Sequence, residues 1–138
     1  ATDHAPHTLD EKKLPYGQAP SGMPGVETSL TLMLNEVSKG RIKLENVVKW
    51  MSENPAKLYR LKNKGFLKPG YDADITIVDM NKQKTISNES MKTKCGWTAF
   101  NGEKTTGWAE TTIVNGNIVY DNEKLVLDFS GKKVDFEY

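Results

Sequence analysis

Thr2-Asp3-His4-Ala5-Pro6-His7 packs a carboxylate and two imidazoles into six residues, and it reads as the end of a buried strand running out into a loop. Asp and His are the side chains that a divalent-metal site and a proton-transfer step both use. On spacing alone a solvated turn beside a proline accounts for the segment equally well, so its meaning depends on the residues downstream.

Those residues form first a loop, then helices, then strands. Pro15, Gly17, Pro20, Gly22, Pro24 and Gly25 crowd the residues before position 26, which predicts a long connection of the kind that usually carries function. Val26, Leu30, Met33, Leu34 and Val37 then recur at three- and four-residue intervals, predicting a helix over 26–38 stopped by Gly40. Leu44, Val47, Val48 and Met51 predict a second helix that ends near Asn54, because Pro55 disfavours helical geometry in the residue before it. Asn54 then caps a third helix that turns Leu58 and Leu61 inward until Gly65. After Pro69-Gly70 the period changes. Residues 73–79 read as a strand, and 111–120 as a hairpin around Asn115-Gly116, with shorter strands at 85–87, 125–129 and 133–136.

Composition excludes several classes. Nineteen Lys and Arg balance eighteen Asp and Glu, for a formal charge of +1, and no block of like charge calls for a nucleic acid. With 37% hydrophobic residues the chain has the composition of a soluble globular protein, and no apolar run reaches the roughly 18 residues of a membrane span. Cys95 is the only cysteine, so no internal disulfide forms and a cytoplasmic location is expected. A chain of 138 residues is too short for a closed eight-unit β/α barrel, which needs about 250. The opening segment, with no initiator methionine, suggests a chain cut from something larger.

The order of several segments is more specific than any one of them. Thr2 to His7, Asp10-Glu11-Lys12 and Ala19-Pro20-Ser21-Gly22-Met23-Pro24-Gly25 together resemble the last barrel strand and following loop of dihydroorotases, within the amidohydrolase superfamily. Glu53-Asn54-Pro55-Ala56 and the run 65–79 are similar to the stretch found after the barrel across that superfamily, hydantoinases and allantoinases included. Residues 95–102 and 112–120 look like its tail, with Ala99 standing where many relatives have proline. The resemblance implies an α/β fold: a C-terminal fragment of a TIM (β/α)8 barrel metal-dependent hydrolase, its helices followed by strands of an accessory β-sandwich. Residues 1–65 would supply the strand end, substrate loop and barrel helices, and residues 66–138 the sandwich strands.

The resemblance also implies roles. Asp3 matches the carboxylate that binds one metal of a mono- or binuclear Zn2+ site and takes the proton of the hydrolytic water. His7 matches the histidine that hydrogen-bonds the substrate carboxylate, while Ser21 and Gly22 match positions whose backbone groups meet the ligand. His4 carries no ligand role and is expected to be structural or supporting. Trp50, Trp97 and Trp108 are expected to pack, Cys95 to act as a small buried hydrophobe, and Glu27 to favour the helix dipole.

The small-molecule substrate implied is dihydroorotate, opened reversibly to N-carbamoyl aspartate. The alternatives are a hydantoinase or allantoinase, or a non-catalytic scaffold. The family's His-x-His pair, carboxylated lysine and two further histidines are absent, and one carboxylate cannot hold a catalytic zinc, which ordinarily needs about three protein ligands. By itself the chain is therefore expected to be inactive and to bind zinc weakly or not at all. Its apolar faces are expected to drive association, as a homo-oligomer or with the missing N-terminal part, and residues 8–24 are expected to be mobile.

Overall fold

The computed structural model describes residues 2–126 and 128–137. Near its start, His4 is bridged in parallel to Met23. The loop between them holds one helical turn, α1 (Leu9–Lys12). A capping box produces that turn: the Thr8 hydroxyl accepts from the Glu11 N–H at 3.3 Å, and the Glu11 carboxylate accepts from the Thr8 N–H at 2.6 Å. The segment expected to be mobile thus carries its own internal hydrogen bonds.

Helix α2 (Val26–Ser38) has the bounds the apolar spacing predicts. Gly40, at φ +70°, ends it by donating its N–H to the Val37 carbonyl at 2.8 Å. The two helices expected on either side of Pro55 are instead one continuous run, from α3 (Leu44–Val48) through a π-helical segment (Lys49–Glu53) into α4 (Asn54–Leu58). Asn54 has helical angles and donates its N–H to Lys49, five residues back, so it continues the helix rather than capping a new one. The wider turn is the physical reason. A proline ring collides with the carbonyl four residues earlier in a regular α-helix, and loosening the turn before it relieves that contact. Leu58, expected inward, is 75% exposed; Leu61 is half-buried and bridges Phe136.

The second half is a four-stranded antiparallel meander, β1 (Ile75–Thr85), β2 (Lys104–Val114), β3 (Asn117–Asp121) and β4 (Lys124–Leu125), in that spatial order. Asn115 and Gly116 both have positive φ, 48° and 80°, which is the two-residue turn their sequence predicts. Of the expected strand at 85–87 only Thr85 belongs to β1, although Ile86 still exchanges backbone hydrogen bonds with the Gly102–Glu103 turn. That at 125–129 shrinks to β4 at its first residue, with Leu127 outside the described residues, and 133–136 contributes only the bridge at Phe136.

The joint between α2 and the sheet is polar. β1 and β2 lose register between Asp79 and Gln83, which leaves Gly107 without a ladder partner. Two side chains of α2 satisfy the backbone there: Thr31 donates its hydroxyl to the Gly107 carbonyl at 2.7 Å, and Asn35 accepts from the Thr106 N–H at 3.0 Å. Leu34, between them, is 1% exposed and packs on Gly107, whose φ of +99° and missing side chain allow the approach. Val47, Ala56, Ile86 and Trp97 are the other buried apolar residues among those described. Large apolar residues, including Val48, Trp50, Met51, Leu67, Ile77 and Ile118, remain exposed.

Candidate active site

Asp3 turns the chain at the strand end. Its φ of +44° is a left-handed conformation that a residue with a side chain adopts only when its surroundings impose it. They do so from both sides. The Ala5 N–H donates to the Met23 carbonyl at 2.9 Å, and Gly25 lies against Thr2, where a Cβ would stand 3.0 Å from the Thr2 carbonyl oxygen. The Asp3 side chain itself is exposed and has no hydrogen-bond or ion-pair partner among the described residues. It is a carboxylate held in place by its backbone with its oxygens uncommitted.

The other predicted residues gather on the same loop. Gly22, at φ +87°, passes so close to Ala5 that an added Cβ would stand 2.6 Å from the alanine methyl. Its lack of a side chain is required by that packing as well as by any ligand. Ser21 is exposed between Pro20 and Gly22, whose carbonyls both accept from the Lys12 ammonium, at 2.6 and 2.9 Å. His7 is half-buried, its Nδ1 3.9 Å from the Glu11 carboxylate. The Thr8 backbone N–H and then the Thr8 hydroxyl hold that carboxyl below the ordinary glutamate range, so Glu11 is anionic beside the imidazole at neutral pH.

Three contacts here had no signal in local sequence patterns. The Trp97 indole, from the turn before β2, donates to the His7 carbonyl at 2.7 Å and ties the loop to the C-terminal half. Lys12 closes the loop as described. Glu27, expected only to favour the dipole of α2, also accepts the Lys92 and Thr93 N–H groups, at 2.8 and 3.0 Å.

A metal centre needs several donors, and among the described residues no three His, Cys, Asp or Glu side chains converge. The carboxylate of Asp3 fits the role of one ligand, since it is exposed and unpaired; the Nδ1 of His4 does not, because it already accepts from the Gly25 and Val26 N–H groups.

The sequence matches the amidohydrolase family model over residues 1–119. The chain belongs to the amidohydrolase family. It is 42% identical over 134 residues to a dihydroorotase of Pyrococcus abyssi, covering 97% of this chain and 32% of that protein. A dihydroorotase of Methanosphaera stadtmanae is 45% identical over 123 residues, 88% of this chain and 29% of the relative. The chain thus spans about a third of the length of the curated relatives it matches. Among solved structures, a dihydropyrimidinase from Brevibacillus agri superposes with a TM-score of 0.85 at 31% identity, over 90% of this chain and 28% of that one. The L-hydantoinase of Arthrobacter aurescens gives 0.76 at 35%, over 80% and 25%. This amidohydrolase chain is a mixed α/β unit with an antiparallel sheet, and none of its described helices is long and apolar enough to cross a membrane.

Proposed function

We propose that this chain is the C-terminal part of a cytoplasmic, zinc-dependent dihydroorotase, which converts (S)-dihydroorotate and water reversibly to N-carbamoyl-L-aspartate in pyrimidine biosynthesis. In this reading residues 1–65 complete a TIM barrel and its substrate loop, and residues 66–138 belong to the accessory β domain. The observation that carries it is the exposed, unpaired carboxylate of Asp3 on a constrained strand end, with His7 and Gly22 on the loop beside it. Likeness to dihydroorotases along nearly the whole chain supports it.

Asp3 would hold one of the one or two zinc ions, whose chemistry when bound is to acidify water toward a pKa near 7. The Asp3 carboxylate accepts the proton of the attacking water and passes it to the ring amide nitrogen as the C–N bond breaks, so the hydroxyl ends on the carbonyl carbon and the proton on the leaving nitrogen. His7 donates to the substrate carboxylate, with the Glu11 carboxylate 3.9 Å from its Nδ1 on the loop side. Ser21 and Gly22 meet the substrate through their backbone, which the Lys12 bonds to the flanking carbonyls hold still. Supplying one ligand, the isolated chain is inactive in this reading, and its exposed apolar residues pair with the rest of the protein or with another copy.

A hydantoinase is the second reading, favoured by the structural likeness to that group. It differs in substrate: a carboxylate on the ring gives His7 a partner, and hydantoin lacks one. The test is turnover of dihydroorotate, hydantoin and allantoin by the intact zinc-loaded protein, and by Asp3→Asn, with the isolated chain as a blank. Dihydroorotate should be preferred, and Asp3→Asn should lose about 10²–10⁴-fold in kcat. Preference for hydantoin, or an Asp3→Asn variant of undiminished activity, overturns the proposal.

A further inference from the structure

Helix α2 begins at Gly25, which has no side chain with which to cap it. The first N–H groups of a helix have no partner within the helix, and a Ser, Thr, Asp or Asn at the cap normally supplies one. That solution is closed here, because a Cβ on Gly25 would press on the Thr2 carbonyl oxygen at 3.0 Å. The acceptor comes instead from 21 residues upstream: His4 Nδ1 accepts from the Gly25 N–H at 3.2 Å and from the Val26 N–H at 3.4 Å. Two donors on Nδ1 place the imidazole proton on Nε2.

We propose that His4 is the cap of α2 and, through that cap, the positioning residue for the Asp3 carboxylate. The inference rests on the metal-binding role proposed for Asp3. The chain from Thr2 to Ala5 is gripped at three points by the chain from Met23 to Val26. Thr2 is wedged against Gly25, the Ala5 N–H is bonded to the Met23 carbonyl, and the His4 ring lies across the helix start. Of the three, only the imidazole is a side-chain bond, and it belongs to the residue next to Asp3, which sits at φ +44°. Losing it leaves two helix donors without an acceptor and the left-handed turn with one restraint fewer, so the carboxylate drifts while the substrate loop, held by Lys12 and Trp97, keeps its shape. A misplacement of about 1 Å in a reacting group costs on the order of 10²-fold in rate.

The test uses two side chains that place an acceptor at different distances. Asparagine puts its Oδ1 where His4 has Nδ1; glutamine puts its acceptor farther out, where His4 has Nε2. In the intact enzyme, His4→Leu should lower kcat about 10–100-fold with KM within about 3-fold of the parent. His4→Asn should recover to within about 3-fold of the parent, and His4→Gln should stay as impaired as the leucine variant. Should His4→Leu fail to fold, the asparagine–glutamine contrast still decides. Rescue by glutamine and not asparagine would show that His4 works through Nε2, as a ligand or proton carrier, and would overturn the inference; so would parental kcat in His4→Leu. Asp3→Asn, assayed alongside, separates the two levels. An inactive Asp3→Asn with a fully active His4→Leu sinks only the positioning role, whereas an active Asp3→Asn sinks the function on which it rests.

Discussion

Gly107→Ala should be among the most destabilising methyl additions this chain can receive. The residue sits at φ +99°, where a side chain costs about 1–2 kcal/mol. The new methyl would also stand 2.6 Å from the Leu34 Cβ and 3.3 Å from its carbonyl carbon, and because one of those atoms is helix backbone, α2 as a whole must shift. Overpacking of that kind adds about 1–3 kcal/mol, and the Thr31 and Asn35 bonds to β2 lengthen with it. The expected loss is about 2–5 kcal/mol. Gly102→Ala is the control: its φ is +88°, yet nothing lies within 4 Å of an added Cβ, so it carries the backbone cost alone. Urea denaturation followed by tryptophan fluorescence reads both, since Trp108 follows Gly107 in β2 and Trp97 is buried in the folded chain. Gly107→Ala should lower the midpoint by about 1–2 M, and Gly102→Ala by less than half as much. Equal midpoints for the two variants would refute the claim that α2 and β2 meet at backbone distance.

Two contacts at longer range carry further expected outcomes. Trp97→Phe removes the donor to the His7 carbonyl, about 0.5–1.5 kcal/mol, so in the intact enzyme KM for the substrate should rise about 2–10-fold while kcat changes little; a collapse of kcat at constant KM would contradict it. Asp74 titrates against its surroundings: burial raises its pKa, but hydrogen bonds from Lys64 and from the Asn115 N–H overcome that and leave it below the ordinary 3.8. A carboxyl depressed by folding stabilises the fold above its unfolded pKa and loses that contribution as pH falls through the lowered value. Asp74→Asn should therefore denature at lower urea than the parent at neutral pH, with the gap closing below about pH 3.8; a gap that persists unchanged in acid would disprove the role of the charge.

Helix α2 shows both the reach and the limit of reading the chain alone. The spacing of Val26, Leu30, Met33, Leu34 and Val37 locates it to the residue, but of these only Leu34 is fully buried, beside Thr28, Thr31 and Asn35, while Val26 is more than half exposed. Periodicity identifies a helix and a face. It does not say what that face will meet, and a register shift that leaves strand backbone unpaired makes threonine and asparagine the right residues to bury. Asn115-Gly116 was legible because turn geometry is decided by the two residues themselves, whereas Pro55 misled because a helix has a second way, the wider turn, to accommodate a proline. Asp3, His7, Ser21 and Gly22 came from resemblance, and the structure brings their segments together. The contacts that hold them, His4 to Gly25, Lys12 to Gly22 and Trp97 to His7, join residues 10 to 90 positions apart and leave no trace in any local pattern.

The grip of Thr31 and Asn35 on β2 has a consequence for how this unit can change. Because α2 is fastened to main-chain atoms, its tilt on the sheet is indifferent to most of what the strand's side chains become. Away from Gly107 and the buried Thr105, which meet α2 directly, substitutions along β2 can accumulate without rotating the helix, and the strand end that α2 anchors keeps its aim while the sheet diversifies around it.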